Sequence, residues 1–280
     1  MESIRHGEIG LYNIALIGFG RWGKTLLPYL EEFFNVRLIF GRSVEKRGKF
    51  TDSLSDIFSS DIGAVVVATP IGTHYEVARQ ALMHDKHVFC EKPLAVDPSL
   101  ARKLDFVATQ KGLHLITDYT YVFSRRLWEV QKNIIHKKKM GGLRSVKLRM
   151  ERKLRKNKFG VYWVLASHML AVLDMFTDIV SLEFDKTDLV SQERSIISFT
   201  GDIKGEIFVD SNSLTKKTEA SFFGDLGKID CTQLHEEDDL TYAMDYFKNV
   251  LDGRVENKAN LIRAISVTDV LWKLGGTQCI

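Results

Sequence analysis

The stretch that decides the fold is residues 12–24, YNIALIGFGRWGK, in which an apolar, strand-like segment runs into three closely spaced glycines. In the spacing Gly18-x-Gly20-x-x-Gly23, the first glycine permits a tight turn, the second lets a pyrophosphate approach the backbone, and the third lets the next helix pack against the strand. The N-terminus of that helix then faces the phosphates. The pattern predicts a dinucleotide-binding turn, and the alternative is a tight turn without a ligand. The predicted cofactor contacts here are Gly18, Phe19, Gly20, Arg21, Trp22 and Gly23.

Strand and helix patterns alternate around this turn as far as residue 118. The strand-like segments are residues 13–18, 36–41, 63–69, 87–91 and 113–118, and the helix-like segments are 21–34, 71–85 and 97–112. Near-continuous apolar strands separated by helices predict a parallel sheet that is covered on both faces. We therefore predict an N-terminal Rossmann domain with a doubly wound parallel sheet in residues 1–118.

The pattern changes beyond residue 118. A helix is predicted at 124–138, and in RSVKLRMERKL (144–154) the alternation places Val146, Leu148 and Met150 on one face of a strand. Further strand-like segments are RSIISFT, GEIFVDSN and EASFFGD, and helices follow near 238–252 and 259–274. The fold class is therefore predicted as α/β followed by α+β, with a C-terminal α+β domain at 119–280 that contains a mostly antiparallel open sheet.

Composition excludes several classes of function. The chain has 280 residues, with 39 basic and 36 acidic side chains and a formal net charge of +3, which argues against a nucleic-acid partner. No apolar run approaches the roughly 20 residues that span a bilayer, and the first ten residues lack the apolar segment of a signal peptide. Three widely separated cysteines fit a reducing compartment. We expect a cytoplasmic protein that acts on a small-molecule substrate, without a membrane partner.

The end of the second predicted strand bears on the choice of cofactor. An Asp or Glu about 20 residues after the glycines binds the ribose 2′-hydroxyl of NAD, whereas this strand ends in Phe40-Gly41-Arg42-Ser43. Arg42 is suited to contact a 2′-phosphate and Ser43 to hydrogen-bond it, while a carboxylate would repel that phosphate. The sequence predicts a preference for NADP(H) and leaves NAD(H) open. The alternative is that Arg42 is a solvated loop residue.

A second motif lies in HVFCEKPLAVDP (87–98), where Glu91, Lys92 and Pro93 follow the fourth predicted strand. Ligands of open α/β sheets bind at the carboxyl ends of the strands. A lysine there can protonate or polarise a carbonyl oxygen if its pKa is lowered or a proton relay lies nearby. Taken alone, Glu-Lys-Pro is more often a surface turn.

Four segments together, IGFGRWG, ATPIGTHYEVARQAL, HVFCEKPLA and GGLRSV, resemble in order and spacing the Gfo/Idh/MocA oxidoreductases, the family of glucose-fructose oxidoreductase and inositol dehydrogenase. The resemblance implies a Rossmann domain and an α+β domain whose open sheet lines the substrate site and often makes subunit contacts, hence a homo-oligomer, dimer or tetramer. It also implies that Lys92 is catalytic and that it contacts the cofactor. The other cofactor contacts that it implies are Thr69, Pro70 and Glu91, and it implies contact by His74 less strongly.

In this family a helix of the second domain typically carries Asp-x-x-x-His, and both side chains act in proton transfer and substrate binding. The matching stretch is GVYWVLASHMLAVLDMF (160–176), in which His168 fits the histidine and Val164 stands in place of the aspartate. Without that carboxylate, His168 loses a partner that would orient its ring, and it is either catalytic or a structural helix histidine. Tyr119 and Tyr162 are candidate replacement proton donors and substrate contacts.

The segment MERKLRKNKFG (150–160) is rich in basic residues, and by the same resemblance it lies close to the substrate. Arg152 and its basic neighbours suit a phosphate-bearing or carboxylated substrate, or they form a solvated loop. Histidines His84 and His87 have no carboxylate–histidine cluster near them, so we expect no metal.

These observations predict an NAD(P)-dependent oxidoreductase that transfers a hydride between a nicotinamide cofactor and a secondary alcohol or ketone of a sugar, sugar nucleotide or related molecule. Lys92 is expected to act as acid, base or electrophile, assisted by His168. Two alternatives remain. One is a nucleotide-binding regulator or scaffold of the same fold, which the Val164 departure favours, and the other is an imine reductase.

Overall fold

The structure is a computed structural model that describes residues 11–42, 45–136, 140–154, 159–190, 193–234 and 238–275. Its strands form two six-stranded sheets. The eight α-helices of the described residues are α1 (Arg21–Phe33), α2 (Leu54–Phe58), α3 (His74–Met83), α4 (Pro98–Lys111), α5 (Arg125–Ile135), α6 (Ser167–Leu173), α7 (Asp239–Leu251) and α8 (Lys258–Lys273).

The first sheet is the predicted Rossmann sheet. Its strands are β1 (Asn13–Ile17), β2 (Asn35–Phe40), β3 (Phe50–Thr51), β4 (Ala64–Val67), β5 (His87–Glu91) and β6 (Leu115–Asp118). They lie in the order β3-β2-β1-β4-β5-β6 and all pair in parallel. The strand order reverses between β1 and β4, so the carboxyl ends of these two strands form the crevice in which doubly wound sheets bind ligands.

The local signals in this half were mostly read correctly. Strand β4 is buried along its whole length, as a strand covered on both faces requires. The Asp97 side chain accepts a hydrogen bond from the Ser99 amide at 2.7 Å and caps α4, which ends at Gly112 with φ of 65°. Strand β3 and helix α2 were not predicted, because two and five residues are too short to establish a period.

The second sheet confirms the predicted α+β fold. Its strands are β7 (Leu143–Glu151), β8 (Glu183–Val190), β9 (Arg194–Thr200), β10 (Lys204–Asp210), β11 (Lys217–Gly224) and β12 (Lys228–Cys231). The order is β12-β11-β7-β10-β9-β8, and every pair is antiparallel except β7 with β10. Val146, Leu148 and Met150 are buried on one face of β7, as the alternation predicted. Strands β8 and β12 were not predicted.

The last two helices return to the first sheet. Helix α8 packs against β6 and α4, and α7 packs against α1. At the start of α8, Asn260 accepts a hydrogen bond from the Thr117 amide at 2.8 Å and donates one to the Thr117 carbonyl at 3.0 Å, and Asn257 donates to the Leu115 carbonyl at 2.5 Å. These side chains satisfy the free edge of β6, which protects it from pairing with another strand. A domain division at residue 118 stays a prediction.

The segment predicted as one helix at 160–176 is built in two pieces. A π-helix, Tyr162–Ala166, leads directly into α6. Short π-helical turns are rare and occur frequently at functional sites, because the extra residue changes which groups face a neighbour. No helix in the described part of the chain is both long and apolar enough to cross a membrane.

Candidate active site

A groove of about 630 Å³ opens at the crevice between β1 and β4. It is lined by Gly18, Phe19, Gly20, Arg21, Trp22, Lys24, Phe40, Gly41, Arg42, Ala68, Thr69 and Pro70. All the residues that the sequence predicted to bind the cofactor from the glycine turn line this groove except Gly23, which lies behind it. Thr69 and Pro70, at the end of β4, form the opposite wall.

The physical reason for a glycine differs among the three glycine positions of the turn. Gly18 has φ of 111°, and a Cβ there would lie 2.5 Å from the Ala68 carbonyl oxygen. A Cβ on Gly23 would overlap the Gly18 carbonyl oxygen, so this glycine lets α1 pack onto the turn. At Gly20 a Cβ would meet no protein atom within 4 Å. The space in front of Gly20 is therefore open, as it must be if a pyrophosphate approaches the backbone there.

The charge of the groove suits a dinucleotide phosphate. Arg21, Lys24 and Arg42 line it, and none of its lining residues within the described chain is acidic. Helix α1 begins at the groove without an acidic residue in its first turn, so its free amides are available to an anion. Arg42 is exposed at the end of β2, and Ser43 lies outside the described residues.

His74 connects the groove to the lysine motif. Its Nδ1 lies 2.8 Å from the Pro93 carbonyl oxygen and its Nε2 lies 2.8 Å from the Thr69 carbonyl oxygen. Burial lowers the pKa of this imidazole. The sequence placed His74 near the cofactor segment. In the structure its buried ring connects two backbone segments by hydrogen bonds: the groove wall at Thr69 and the turn that carries Lys92.

A second, smaller cavity of about 260 Å³ adjoins the groove. Its lining comes from six separate parts of the chain: Trp22, Glu91, Lys92, Thr120, Tyr121, Arg152, Leu154, Val164, Leu165, His168 and Lys216. Trp22 lines both the groove and the cavity. A nicotinamide ring that leaves the groove past Trp22 would therefore enter the space that Lys92 and His168 face.

Lys92 is held by the π-helix rather than by a carboxylate. Its Nζ donates a hydrogen bond to the Val164 carbonyl oxygen at 2.7 Å, and the Ser167 hydroxyl lies 3.5 Å away. The backbone of Val164 thus contacts the lysine at the position where the family motif has an aspartate. Because a carbonyl carries no full charge, it fixes the ammonium group in place without strongly favouring its charged form.

The pKa of Lys92 is lowered from its usual 10.5 to about 8, mainly by burial, with a further contribution from the positive charge of Arg152. The negative charges of Glu91 and Asp118 oppose this shift. A lysine with a pKa near 8 exchanges its proton readily near neutral pH, which is what general acid–base catalysis requires.

His168 lies in the same cavity as Lys92. Burial lowers the pKa of its imidazole well below the usual value, and the charges of Lys92 and Arg152 lower it further, so the ring is neutral. The ring stands edge-on to Tyr121, with centroids 5.0 Å apart. Its buried Nδ1 has no hydrogen-bond partner among the described residues.

A pair of carboxyl groups lies behind the lysine. Glu91 and Asp118 occupy paired positions on β5 and β6, and the Trp22 indole N–H donates to Glu91. Burial raises the pKa of Asp118 to about 6, and burial together with the charge of Asp118 raises the pKa of Glu91 well above its usual value. Two adjacent carboxyls do not both ionise easily, so each disfavours the negative charge of the other behind Lys92.

The structure does not bring the two tyrosines predicted as proton donors to the cavity. Tyr119 is 0% exposed and does not line it, and burial raises the pKa of its hydroxyl. The Tyr162 hydroxyl lies 2.8 Å from the Ser195 hydroxyl, on the side of the second sheet. Tyr121 lines the cavity instead, because a 3₁₀ turn over Thr120–Phe123 redirects the chain after β6.

Sequence reasoning missed Thr120, Tyr121 and Lys216. No sequence motif identifies these three residues. Lys216 directly precedes β11, and only the tertiary structure brings it to the cavity. Arg152 was predicted as a substrate contact and does line the cavity. Of its basic neighbours, Arg155, Lys156 and Lys158 lie outside the described residues. Within the residues that the structure covers, no three His, Cys, Asp or Glu side chains come together as a metal-ligand set.

Comparison with known proteins agrees with this geometry. The profile of the GFO_IDH_MocA family, described as an oxidoreductase family with an NAD-binding Rossmann fold, matches residues 12–119. The scyllo-inositol 2-dehydrogenase (NADP(+)) IolW of Bacillus subtilis is 27% identical over 132 residues, which cover 44% of this chain and 36% of the relative. The chain thus matches well under half the length of the first curated relatives.

Two further similarities reach beyond the first domain. Glucose-6-phosphate 3-dehydrogenase of Bacillus subtilis is 23% identical over 239 residues, covering 73% of this chain and 67% of the relative. The crystal structure of GenD2 from gentamicin A biosynthesis, in complex with NAD, superposes with a TM-score of 0.82 at 17% identity. That superposition covers 98% of this chain and 97% of GenD2, so the fold is shared over nearly the full length.

Proposed function

Because the chain, through its Rossmann domain, belongs to the Gfo/Idh/MocA oxidoreductase family, we propose that it is an NAD(P)-dependent oxidoreductase of CH–OH and C=O groups. The reaction is hydride transfer between a nicotinamide cofactor and a secondary alcohol or ketone of a sugar, a sugar nucleotide or a related small molecule. The observation that carries the proposal is the position of Lys92. Its Nζ lies in a cavity that shares Trp22 with the glycine-lined groove.

The bound nicotinamide supplies the hydride chemistry, and the chain supplies position and proton transfer. In the reducing direction Lys92 Nζ donates a proton to the carbonyl oxygen, and in the oxidising direction it takes the hydroxyl proton. Neutral His168 is placed to hydrogen-bond a second oxygen of the substrate.

The nature of the substrate is inferred from the cavity and the relatives. About 260 Å³ lies just below the range for small-molecule pockets, roughly 300–1,000 Å³, and fits a single ring with small substituents. Hydrogen-bonding side chains surround it, as a polyhydroxylated ring requires. The names of two relatives, a scyllo-inositol 2-dehydrogenase and a glucose-6-phosphate 3-dehydrogenase, support the same class.

For the cofactor we propose NADP(H) in preference to NAD(H). Exposed Arg42 and the absence of an acidic side chain among the described groove residues support this preference. The named relatives include one that uses NADP⁺ and a solved structure that holds NAD, so they favour neither cofactor. The preference therefore rests on the charge at the end of β2.

We also propose that the chain works in the cytoplasm as a homo-oligomer, dimer or tetramer. Cys90 and Cys231 are buried and far apart, which suits a reducing compartment. The family resemblance supports the oligomer, and light scattering on the purified protein measures its mass.

The test is steady-state turnover of inositols, aldoses, sugar phosphates, their keto forms and cyclic imines with each cofactor, in wild type and Lys92→Ala. The variant is expected to lose roughly 10²- to 10⁴-fold in kcat, the usual contribution of a positioned acid or base, with little change in cofactor affinity. Lys86→Ala is the matched control, because Lys86 is also buried and donates to a backbone carbonyl, that of Ser60, at 2.9 Å. It lies outside the cavity.

Two outcomes count against the enzyme proposal. If cofactor binds but neither sugars nor cyclic imines turn over, the regulator or scaffold interpretation is favoured. If imines alone are reduced, the imine reductase interpretation replaces the sugar one. Equal losses in Lys92→Ala and Lys86→Ala would show that the effect of Lys92 is structural.

A further inference from the structure

Three arginines lie near the end of β7, and among the residues that the structure describes only one of them lacks an acidic partner. Arg149 is paired with Glu151, and Arg194 is paired with Asp210 at 2.6 Å. Arg152 follows the strand and turns into the cavity, where its Nη2 donates to the Tyr121 hydroxyl at 2.7 Å. The carboxylates near this end of the sheet are thus engaged by the other two arginines.

The remaining surroundings of Arg152 leave its charge uncompensated. Its Nε is buried and has no hydrogen-bond acceptor among the described residues. The cavity also contains Lys92 and Lys216, and neither pairs with a carboxylate within the described chain. Glu91 is the single acidic residue in the lining; it accepts a hydrogen bond from the Trp22 indole, and burial and the charge of Asp118 raise its pKa, which disfavours its negative charge.

A partly buried guanidinium without a counter-charge is costly, because the desolvation of the ion is not offset by an anion. Sites of this kind become favourable when a ligand brings the missing charge. The planar fork of Arg152 matches carboxylate and phosphate geometry. Lys216 is exposed at the edge of the same cavity and adds a longer-range attraction for anions.

We propose that the substrate carries an oxyanion group, a carboxylate or a phosphate ester, and that Arg152 and Lys216 bind it. The inference rests on the proposed function and narrows its substrate class. The anionic group then sits opposite Lys92, on the same side as Tyr121. It supplies the negative charge that Arg152 lacks, and it orients the ring so that one carbon faces the nicotinamide end of the cavity.

The same anion also affects Lys92. The positive charge of Arg152 lowers the pKa of Lys92 in the free protein. An oxyanion bound between them screens that repulsion, so an acidic substrate keeps Lys92 protonated to a higher pH than a neutral substrate does. Charged substrates are therefore expected to tolerate alkaline conditions better in the reducing direction.

The first arm of the test measures binding without turnover. Isothermal titration calorimetry with inorganic phosphate and with acetate is carried out on wild type, Arg152→Gln, Lys216→Gln and Lys153→Gln. Lys153 is the matched control, because it is the exposed neighbour of Arg152 and does not line the cavity. Arg152→Gln is expected to abolish one binding event that Lys153→Gln keeps. Anion binding in the glycine-lined groove should persist in both variants, which distinguishes it from binding at Arg152.

The second arm compares turnover of a neutral sugar, the uronic acid derived from it and its phosphate ester. We expect the charged members to be preferred, and Arg152→Gln to reduce their kcat/KM by about tenfold to a hundredfold, the loss expected for a charge-assisted hydrogen bond. Lys216 is exposed, so Lys216→Gln should not affect folding. This variant should lower kcat/KM less than Arg152→Gln does, and it should weaken the dependence of kcat/KM on salt. Whichever charged member is preferred identifies the anion as carboxylate or phosphate.

The inference is overturned if the neutral sugar is the best substrate, or if Arg152→Gln lowers kcat/KM equally for all three. It is also overturned if both anions bind equally well to wild type and Arg152→Gln. Arg152-dependent binding without turnover of any sugar would sink the proposed function and leave the anion site standing. Turnover of neutral sugars alone would support the proposed function and contradict the anion site.

Discussion

The groove and the cavity are adjacent, yet they are built in different ways. The groove lies at the ends of β1, β2 and β4, and its shape depends on glycines in one short stretch. The cavity is formed by residues from six separate parts of the chain, and Lys92 donates to a single carbonyl of a π-helix. Binding of the nucleotide is thus determined locally, whereas the substrate chemistry depends on how the two sheets meet.

The largest effects on stability and on cofactor affinity should come from substitutions of the glycines. These substitutions distinguish residues that stabilise the fold from the residue that leaves space for the ligand. Gly18→Ala and Gly23→Ala place a Cβ against backbone atoms, so each should lower the free energy of unfolding by about 3 kcal/mol or more. Gly20→Ala meets no protein atom within 4 Å and should cost about 1 kcal/mol or less. It should nevertheless weaken NADPH binding by roughly tenfold to a hundredfold, since the phosphates are displaced from the backbone.

Urea unfolding and fluorescence titration with NADPH measure the two effects separately. If Gly20→Ala binds NADPH as tightly as wild type does, the open space in front of Gly20 is not where the pyrophosphate lies. Equal destabilisation by all three substitutions would mean that the turn is packed differently from the structure described above.

The same contrast explains what the sequence could predict. Gly18, Gly20 and Gly23 act within one strand–turn–helix unit, so their spacing alone was informative, and Lys92 was found because its motif ends a strand of the same sheet. Tyr121 and Lys216 carry no local signal, since only tertiary packing brings them to the cavity. Tyr119 was chosen wrongly for the cavity, because the turn after β6 cannot be read from periodicity.

The departure at Val164 shows another limit of sequence reasoning. From the sequence, the missing carboxylate indicates either lost catalysis or catalysis by other groups, because a sequence motif describes side chains and not backbone atoms. The structure fills the same position with a main-chain oxygen, which every residue possesses. The π-helix that exposes this oxygen has no sequence signature that we recognised in residues 160–176.

A moderate effect is expected at the adenosine end of the groove. Arg42→Ala should weaken NADPH binding by about tenfold or more, because a charge-assisted contact with the 2′-phosphate is lost, and should leave NADH binding nearly unchanged. Arg37→Ala serves as a control, since Arg37 is exposed on the same strand and does not line the groove. Tighter binding of NADH than NADPH by wild type would contradict the proposed preference, and so would an equal loss for both cofactors.

The smallest effect tests the carbonyl that holds Lys92. Val164→Asp restores a carboxylate beside Lys92 without removing the Val164 carbonyl, and Val164→Asn has the same shape without the charge. An opposite charge favours the protonated lysine, so its pKa should rise from about 8 by roughly one unit. In the reducing direction Lys92 must be protonated, and kcat/KM falls as pH rises through that pKa.

Val164→Asp should therefore move the alkaline limb of the kcat/KM profile upward by about one pH unit, and Val164→Asn should not. In the oxidising direction the rising limb should move the same way, because the neutral lysine then appears only at higher pH. A shift of equal size in Val164→Asn would assign the effect to geometry. No shift in either variant would mean that Lys92 is not the group that titrates, and the carbonyl of the π-helix would then be a structural contact rather than a replacement for the aspartate.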